Sequence, residues 1–584
     1  MGEPPVVILG AGPAGLAAAR ELAEGGVPVL VLEKRHAVGG IARTEVHGGY
    51  RFDVGGHRFF TKNRRIERLW HDTMGADLLR VRRLSRICYQ GRFFRYPLSV
   101  SDTLRNLGLL ESLLILLSYG RARLLPHPRE DSFEQWVTNR FGRRLYEAFF
   151  KTYTEKVWGI PCDRIRADWA AQRIRGLSLA AAVSNAVLGA KRPRSLIEEF
   201  DYPREGPGMM WERFREVVES LGGEVRCGAE AVGMAHDRGR ITGVRVADGS
   251  GRTRWCPADH VVSSVPLPRL VEMLDPPAPE GVRRAAGSLG HRSFLMVGLI
   301  LDRPELFPDQ WIYVHSRGVR VGRIQNFKNW SPGMVPDPST TSVGMEYFCD
   351  EGDEIWSMPD GDLAGLASRE LEALGLARAR DVIGHHVVRE PVAYPVYDEH
   401  YRAHLGVVRE YLAGFGNLQT VGRSGMHRYN NMDHAMLTGM LAARNVLGAK
   451  HDLWEVNEEK EYLEEDGARR IPEPVLRQAF ARLDKLALAT AVGAASGLGL
   501  LLATLWLVVR GGEPVGPHLR LLAQYLPGYT VTVRGSLLAA GYGFGWGFLG
   551  GWFLAYVRNL ALALFLRRAR RRGEVSLWDL IDRV

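Results

Sequence analysis

The first 33 residues restrict the fold of this chain more than any other segment. A short apolar strand, Val6-Val-Ile-Leu9, runs into Gly10-Ala-Gly12-Pro-Ala-Gly15 and then an alanine-rich stretch to about Ala23. A second apolar strand, Val29 to Leu32, ends at an acid, Glu33. This order of strand, glycine turn, helix, strand and acid is typical of a dinucleotide-binding βαβ unit.

Each of these residues has a mechanical reason for its position. Gly10 permits the tight turn, Gly12 lets the backbone approach a pyrophosphate, and Gly15 lets the helix pack closely on the sheet. The helix N-terminus stabilises phosphate charge, and Glu33 can accept hydrogen bonds from a ribose. We therefore expect these four residues to bind a cofactor.

Composition excludes several other classes of protein. Apolar residues make up 46% and charged residues 24% of the 584 residues, which excludes a disordered or collagen-like chain. The five cysteines lie far apart without CxxC spacing, so we expect no metal site, no disulfide framework and a reducing compartment. Much of the net charge of +10 falls near the C-terminus, which does not favour nucleic-acid binding. The N-terminal residues lack an export-signal pattern, so we expect cytoplasmic folding.

The C-terminal region carries membrane signals. Leu486 to Val509 is free of charge, and Gly535 to Leu566 is interrupted only by Arg558. About 20 apolar residues span a bilayer, so we predict a transmembrane helical hairpin with spans at about 486–509 and 535–557. The basic tail that follows favours both ends in the cytoplasm, so we expect the N-terminal part of the chain on the cytoplasmic face of the cell (inner) membrane.

Small residues recur every four positions along both predicted spans. They are Ala489, Gly493 and Gly497 in the first span and Gly543, Gly547 and Gly551 in the second. Such stripes let two membrane helices approach closely. A shorter apolar run, Leu107 to Leu117, is interrupted by Glu111, and we interpret it as a core helix because it is too short to span.

The segment after Glu33 distinguishes FAD from NAD. Lys34-Arg35 leads to Gly39-Gly40 and Arg43-Thr44, which resembles the GG motif of the flavin amine oxidase superfamily. The resemblance implies that Lys34, Gly39, Gly40, Arg43 and Thr44 bind FAD, with Arg43 on the phosphates. Near residue 420, Gly422-Arg423 precedes Asp433 and a predicted helix from about His434, which resembles the superfamily's last FAD contact.

A narrower resemblance is to UDP-galactopyranose mutases. Several blocks match in family order between about residues 6 and 445: Asp53-Val-Gly55-Gly56-His57, Lys156-Val-Trp158 with Trp169 and Arg173, Arg323 with Asn329 and Pro332, Tyr394-Pro395, and Arg428-Tyr429. The resemblance implies that Arg173 and Arg323 clamp a diphosphate. It also implies that Trp158, Asn329, Tyr394, Arg428 and Tyr429 bind the substrate, while Gly55, Gly56 and His57 pass the flavin near N5.

The implied reaction is redox-neutral. In such mutases a nucleotide sugar changes its ring size through an adduct to N5 of reduced flavin. An external reductant, expected to be NAD(P)H, must first reduce the FAD. The FAD is expected to be non-covalent, because no cysteine lies near the closing motif.

The implied fold class is α/β: a Rossmann-type (GR2-like) FAD-binding domain, an α+β substrate cap and the C-terminal hairpin. The expected division is FAD-binding domain at 1–95, 216–290 and 391–450, a mostly helical insertion at 96–215, a substrate-domain sheet at 291–390, a charged linker at 451–484, and the membrane hairpin with its basic tail at 485–584.

Three functions remain open at this point. The first is a membrane-anchored mutase acting on a UDP-linked hexose, with glycosyltransferases as possible partners. The second is an oxidoreductase for an amine, porphyrinogen or other lipophilic substrate, in which Lys328 would lie beside flavin N5. The third is a non-enzymatic FAD-holding scaffold, because a fold alone does not determine function.

Overall fold

The computed structural model describes residues 4–96, 100–167, 199–457, 483–512 and 515–571. The chain divides into two compact units, Met1–Asp466 and Gly467–Val584, and each is described by itself. The acid-rich linker predicted after residue 450 falls largely, at 458–482, outside the described residues. All five cysteines are free thiols.

The described strands, in chain order, are β1 Val6–Leu9, β2 Val29–Glu33, β3 Thr44–His47, β4 Tyr50–Asp53, β5 Leu78–Arg82, β6 Ser85–Tyr89, β7 Arg92–Arg95, β8 Glu199–Pro203, β9 Glu224–Cys227, β10 Glu230–Asp237, β11 Arg240–Ala247, β12 Thr253–Pro257, β13 Val261–Ser263, β14 Leu274–Asp275, β15 His291–Leu301, β16 Trp311–Val314, β17 Arg323–Asn326, β18 Thr341–Cys349, β19 Val382–Pro395 and β20 Leu418–Thr420.

The described α-helices are α1 Pro13–Glu24, α2 Arg64–Met74, α3 Val100–Leu107, α4 Leu109–Leu124, α5 Phe133–Phe141, α6 Arg143–Tyr146, α7 Thr152–Trp158, α8 Gly208–Ser220, α9 Leu267–Glu272, α10 Glu280–Gly287, α11 Glu354–Ser357, α12 Asp360–Ala373, α13 Tyr401–Leu412, α14 Met432–Val446, α15 Lys485–Arg510, α16 Pro517–Arg520 and α17 Val533–Arg571.

A five-stranded parallel sheet forms the centre of the cofactor domain. Its order is β20-β13-β1-β2-β9, so strands from three distant parts of the chain lie side by side. All four residues of β1 are buried, which explains why this strand is an uninterrupted apolar run. Helix α1 packs on this sheet and against α14, where an added Cβ at Gly439 would lie 2.0 Å from Ala14 O.

A seven-stranded mixed sheet forms the second domain, in the order β19-β15-β18-β17-β16-β6-β7. All its strand pairs are antiparallel except β16 with β6. The predicted division kept residues 85–95 with the N-terminal segment and ended the substrate sheet at 390. The structure instead places β6 and β7 in this sheet and continues β19 to Pro395. Pairing between residues more than 200 positions apart, such as Trp311 with Ser85, leaves no local signal in either strand.

Helix α4 differs from its prediction as a core helix. Ile115 and Ala122 are buried towards the protein, whereas Leu110, Leu113 and Leu117 are exposed on the other side. The helix is apolar on both sides, and the described residues cover only one of them. Sequence periodicity cannot reveal which apolar stripe a helix buries when it carries two.

The C-terminal unit contains two helices, α15 and α17, that are long and apolar enough to cross a membrane. Their small residues face each other, as the stripes predict: an added Cβ would lie 2.9 Å from Phe544 O at Gly493 and 2.9 Å from Leu488 O at Gly551. Ala489, Gly493 and Gly497 are buried between the helices. The length and composition of these helices agree with the predicted spans.

Candidate active site

The loop between β1 and α1 brings backbone rather than side chains to its outer edge. Gly10 has φ +95°, and a Cβ there would lie 2.3 Å from Ser264 Oγ. A Cβ at Gly15 would lie 1.9 Å from Gly10 O, so the first turn of α1 packs directly on the loop. Gly12 is the N-cap of α1 and supplies no side-chain cap. The first N–H groups of this helix are therefore available to an anion.

The GG motif forms a second backbone loop against the first. Gly39 N donates to Ala11 O at 2.8 Å, and Gly39 adopts φ +100°. A Cβ on Gly40, whose φ is +57°, would lie 3.3 Å from the Gly12 Cα. The loops approach each other closely because neither carries a side chain at the contact.

Glu33 lies where the prediction required an acid, at the buried end of β2. Its Oε2 accepts from Ala11 N at 2.8 Å and its Oε1 from Arg35 N at 2.9 Å. These two bonds orient the carboxylate and leave further lone pairs for ribose hydroxyls. Lys34, the next residue, is exposed.

Arg43 is buried in a network that sequence analysis missed. Its Nη1 donates to Gly40 O at 2.9 Å and to Glu390 Oε2 at 2.8 Å, and its Nε donates to Glu45 Oε1 at 2.6 Å. Glu390 Oε1 also accepts from Arg35 Nη2 at 2.5 Å. Burial opposes the charge of Arg43, but the two carboxylates outweigh it and raise the arginine pKa. Arg43 thus joins the GG loop to β19, and part of its charge is already compensated.

Thr44 uses its hydroxyl inside the protein. The Oγ1 donates to Asp53 Oδ1 at 2.9 Å and accepts from Gly208 N at 3.0 Å. Tyr202 donates to the other oxygen of Asp53. Burial raises the pKa of Asp53 to about 7, although both hydrogen bonds favour the carboxylate. Thr44 therefore links the end of the predicted cofactor loop to β4 and to the start of α8.

His57 follows a turn that only glycines allow. Gly55 has φ +84°, and a Cβ at Gly56 would lie 2.0 Å from the Trp311 ring. The Nδ1 of His57 lies 2.8 Å from Gly55 O, which assigns the proton to Nδ1. Burial, then the charge of Arg423 and that of Arg323, lower the pKa of His57 to about 3, so the ring is neutral.

Arg323, on β17, is one of the two arginines expected to clamp a diphosphate, and its side chain is buried. Its Nη2 donates to the Tyr394 hydroxyl at 2.7 Å, and its Nε forms an ion pair with Glu346. Its guanidinium also lies over the Phe348 ring at 4.7 Å and the Trp311 ring at 5.1 Å. Burial opposes the charge, but Glu346 raises the pKa of Arg323 well above its usual value. The arginine is therefore a fixed cation.

Arg423 joins this group from the other side. Its guanidinium lies 4.5 Å from the Tyr429 ring centroid and 5.6 Å from that of Tyr394. The two tyrosine rings stack at 5.8 Å with 19° between their planes, and Trp158 lies 6.4 Å from each. Two arginines, two tyrosines and one tryptophan therefore converge beside His57.

Gly422 and Asp433 bring the end of the domain to the first helix. Gly422 has φ +79°, a Cβ there would lie 3.0 Å from the Ala14 Cβ, and its N–H donates to Thr438 Oγ1 at 3.0 Å. Asp433, in the first turn of α14, accepts from Thr61 Oγ1 at 2.9 Å. Gly422 therefore lies against the first helix, and Asp433 is bonded to the segment that precedes α2.

Two predicted residues, Asn329 and Arg428, are not brought into this group. The Asn329 amide donates to Phe307 O at 2.7 Å and Asp309 O at 3.0 Å, while Arg428 donates to Trp454 O and Asn457 O. These bonds stabilise loops, because each side chain donates to two backbone carbonyl oxygens. Arg173 and its neighbour Trp169 lie outside the described residues.

Lys328 also has a structural role. Its Nζ donates to Pro304 O at 2.7 Å, Pro338 O at 2.6 Å and Thr340 O at 3.0 Å. Three carbonyl acceptors use all three donors of an ammonium group. The lysine is therefore not available to orient a water molecule at a flavin.

Sequence analysis missed three residues of the site: Trp311, Glu346 and Glu390. Glu346 is the only charged residue in the buried strand β18, and an isolated acid in an apolar run is a usable signal for a buried partner. Trp311 carries no comparable signal. Its Nε1 is buried without a hydrogen-bond partner among the described residues, so it can donate to a bound ligand.

These features fit FAD. Two loops present backbone without side chains at the N-terminus of α1. The oriented carboxylate of Glu33 lies at the end of β2, and Gly422 lies against Ala14 of α1. The residues expected to hold the cofactor are Gly10, Gly12, Gly15, Glu33, Gly39, Gly40 and Gly422. Among the described residues, no group of three or more histidine, cysteine or acidic side chains is placed to hold a metal ion.

Part of the chain is similar in sequence to a curated protein. A curated relative, a probable UDP-galactopyranose mutase from Klebsiella pneumoniae, is 30% identical over 178 residues, which are 28% of this chain and 43% of that protein. The shared segment thus spans less than half of the relative.

Solved structures show the same fold. A reduced UDP-galactopyranose mutase superposes with TM-score 0.67 at 21% identity, covering 78% of this chain and 98% of that one. A putative protoporphyrinogen oxidase from Exiguobacterium sp. 255-15 gives TM-score 0.60 at 18% identity, covering 76% and 98%. A putrescine oxidase with bound putrescine gives 0.51 at 18% identity, covering 76% and 99%.

The family comparison extends over most of the chain. The model of the flavin containing amine oxidoreductase family matches residues 13–447. This range includes the GG loop, His57, Arg323 and the closing loop. The chain therefore belongs to the flavin containing amine oxidoreductase family, and FAD is the cofactor that this membership implies.

Proposed function

We propose that this chain is a membrane-anchored FAD enzyme that changes the ring size of a nucleotide sugar, in the manner of a UDP-galactopyranose mutase. The observation that carries the proposal is the convergence of Arg323 and Arg423 on the stacked rings of Tyr394 and Tyr429 beside a neutral His57.

The charge of this group favours an anionic substrate. Arg323 and Arg423 are two cations, Glu346 supplies one negative charge, and His57 supplies none. Arginine binds phosphate oxygens through its planar fork and keeps its charge when water is excluded. A protonated amine would instead be repelled, which makes a diphosphate the better match.

The chain's own residues would position the reaction. The arginines hold the diphosphate both before it leaves and after, so the nucleotide stays beside the sugar. The Tyr394 hydroxyl accepts from Arg323 and keeps its own proton for a phosphate oxygen. When bound and reduced, FAD supplies the nucleophilic chemistry at the anomeric carbon, and NAD(P)H is the expected reductant. Arg173 is proposed as a further phosphate ligand.

The membrane part of the proposal depends on the C-terminal helices. Two spans with a basic tail favour a hairpin whose ends lie in the cytoplasm. The active unit would then work at the cytoplasmic face of the cell membrane, near glycosyltransferases that consume its product.

The test is a mutase assay on the detergent-solubilised full chain. The flavin is reduced anaerobically with dithionite, UDP-galactofuranose is added, and chromatography measures UDP-galactopyranose. We expect conversion only in the reduced state. The Arg323→Lys variant keeps the positive charge beside Glu346 but lacks the planar guanidinium group. We expect about 100-fold slower turnover in this variant.

The matched control is Arg303→Ala. Arg303 forms an exposed ion pair with Asp381 in the same domain, and such pairs contribute little to stability. We expect it to keep full activity. A reducible, FAD-loaded enzyme that converts neither this substrate nor other nucleotide sugars, but oxidises an amine or porphyrinogen, would overturn the proposal.

A further inference from the structure

Helix α4 carries an apolar face that the described residues do not cover. Leu110, Leu113, Leu117 and Leu124 are 73%, 54%, 61% and 82% exposed. Their spacing of three, four and seven residues places them on one side of the helix. The other side buries Ile115 in the protein core.

This face differs from the rest of the surface of the N-terminal unit. Single exposed apolar side chains are ordinary, whereas a continuous apolar stripe marks an interaction surface. Leu116 and Leu125, 43% and 75% exposed, extend the stripe at its side and end. A helix with apolar residues on two sides normally contacts protein or lipid on both of them.

The charges beside the stripe indicate which of these encloses it. Arg121 and Arg123 lie on either side of the Leu117–Leu124 line, and both are exposed. Neither forms an ion pair with a residue that the structure describes. The one acid of the helix, Glu111, is already paired with Arg144 at 2.6 Å. An apolar stripe with cations on both sides matches the surface of an anionic bilayer.

The length of the helix determines how it would meet a bilayer. Its 16 residues extend about 24 Å, which is shorter than a span, so the helix would lie in the plane of the interface. The same chain holds two helices apolar enough to cross a membrane. Covalent linkage to them raises the local concentration of lipid surface, so a weak contact suffices.

We propose that α4 is a second membrane contact of this protein. The leucine stripe inserts into the headgroup region of an anionic bilayer, and Arg121 and Arg123 bind headgroup phosphates. The proposal rests on the membrane anchoring proposed above and does not depend on the chemistry proposed for the FAD site.

The experiment uses the full chain in proteoliposomes of phosphatidylcholine with phosphatidylglycerol. Leu117→Cys carries an environment-sensitive fluorophore, and spin-labelled lipids in the bilayer act as quenchers. Because an interfacial helix lies ~5–10 Å into the headgroup boundary, we expect about threefold stronger quenching than at a site in water. Ile383→Cys is the matched control, since Ile383 is also 61% exposed but lies on β19. The unsubstituted chain gives the labelling background of its own thiols.

The outcomes separate the possible occupants. Equal quenching at both sites would overturn the proposal, whether the stripe then faced water, a second copy or residues 168–198 of the same chain. Arg121→Gln with Arg123→Gln should reduce the quenching at position 117 in anionic vesicles to the level seen in pure phosphatidylcholine. Quenching that does not depend on these arginines or on lipid charge would remove the headgroup part of the proposal.

Discussion

Arg43 Nη1 donates to Glu390 Oε2 at 2.8 Å, although 347 positions separate the two residues in sequence. The bond joins the GG loop of the cofactor domain to β19, the strand that also carries Tyr394. Both side chains are buried, with 3% and 7% of their surface exposed. One carboxylate therefore joins the GG loop of the candidate FAD site to the strand that carries Tyr394.

Glu390→Gln should weaken this connection. The variant keeps the shape of the side chain but leaves Arg43 and Arg35 without their shared negative charge. Loss of one partner of a buried ion pair costs about 3–5 kcal/mol in unfolding free energy. We expect the unfolding free energy to fall by an amount near the lower end of this range, because Glu45 still pairs with Arg43. Chemical denaturation of the FAD-loaded chain measures it, with Glu399→Gln, at an exposed position, as the control.

Asp53 should make the protein less stable as the pH rises. Its pKa is about 7 in the folded protein, mainly because of burial, against an ordinary value of 3.8. Between these values the folded state binds more protons than the unfolded state. The free energy of unfolding therefore falls by about 1.4 kcal/mol per pH unit from this group alone.

The Asp53→Asn variant isolates that contribution. It cannot titrate, so its unfolding free energy should depend less on pH than that of the native chain between pH 4 and 7. Parallel denaturation curves at three pH values give the difference. Identical pH slopes in the two proteins would show that Asp53 is ionised throughout this range.

His57 should stay neutral during turnover. Burial and the arginines lower its pKa to about 3, so no protonation of this ring is expected between pH 5 and 8. The His57→Gln variant has no titratable side chain at this position, yet we expect its rate to show the same pH dependence as the native rate, at a lower level. This prediction would be contradicted if the native rate changed with an apparent pKa near 6.5 and the rate of the variant did not.

Residues whose role is set by local backbone were predictable from sequence. Gly10, Gly15 and Glu33 lie within one strand–loop–helix–strand unit. Their spacing in the sequence therefore determines their positions in the fold. The two small-residue stripes of the hairpin are predictable for the same reason. Each depends on a helical repeat of four within a single segment.

Residues whose role depends on distant partners were not predictable. Asn329 and Arg428 stand in matching motifs, yet their side chains bond backbone carbonyls that only the folded loops present. Glu390 acquires its role through an arginine of another domain. The same reason applies to α4, because the packing of its neighbours, and not its own repeat, decides which apolar side is buried.

The glycine loop allows a direct test of cofactor binding. Gly15→Ala places a methyl group 1.9 Å from Gly10 O, so the helix must move away from the loop. We expect most of the FAD to be lost, as measured by flavin absorbance per purified chain. Gly281→Ala, a helical position where a Cβ meets nothing within 4 Å, should keep its full complement of flavin.

The hairpin offers two glycines on one helix with opposite surroundings. A Cβ at Gly547 would lie 2.7 Å from Ser496 Oγ and 2.8 Å from Val492 O, whereas a Cβ at Gly545 meets nothing within 4 Å. Gly547→Leu must therefore separate α17 from α15, and overpacking of this kind costs about 1–3 kcal/mol. Gly545→Leu adds the same side chain facing outwards and should leave the hairpin intact. The midpoint of SDS-induced unfolding of the full chain compares them. Equal midpoints for the two variants would show that the stripes do not hold the helices together.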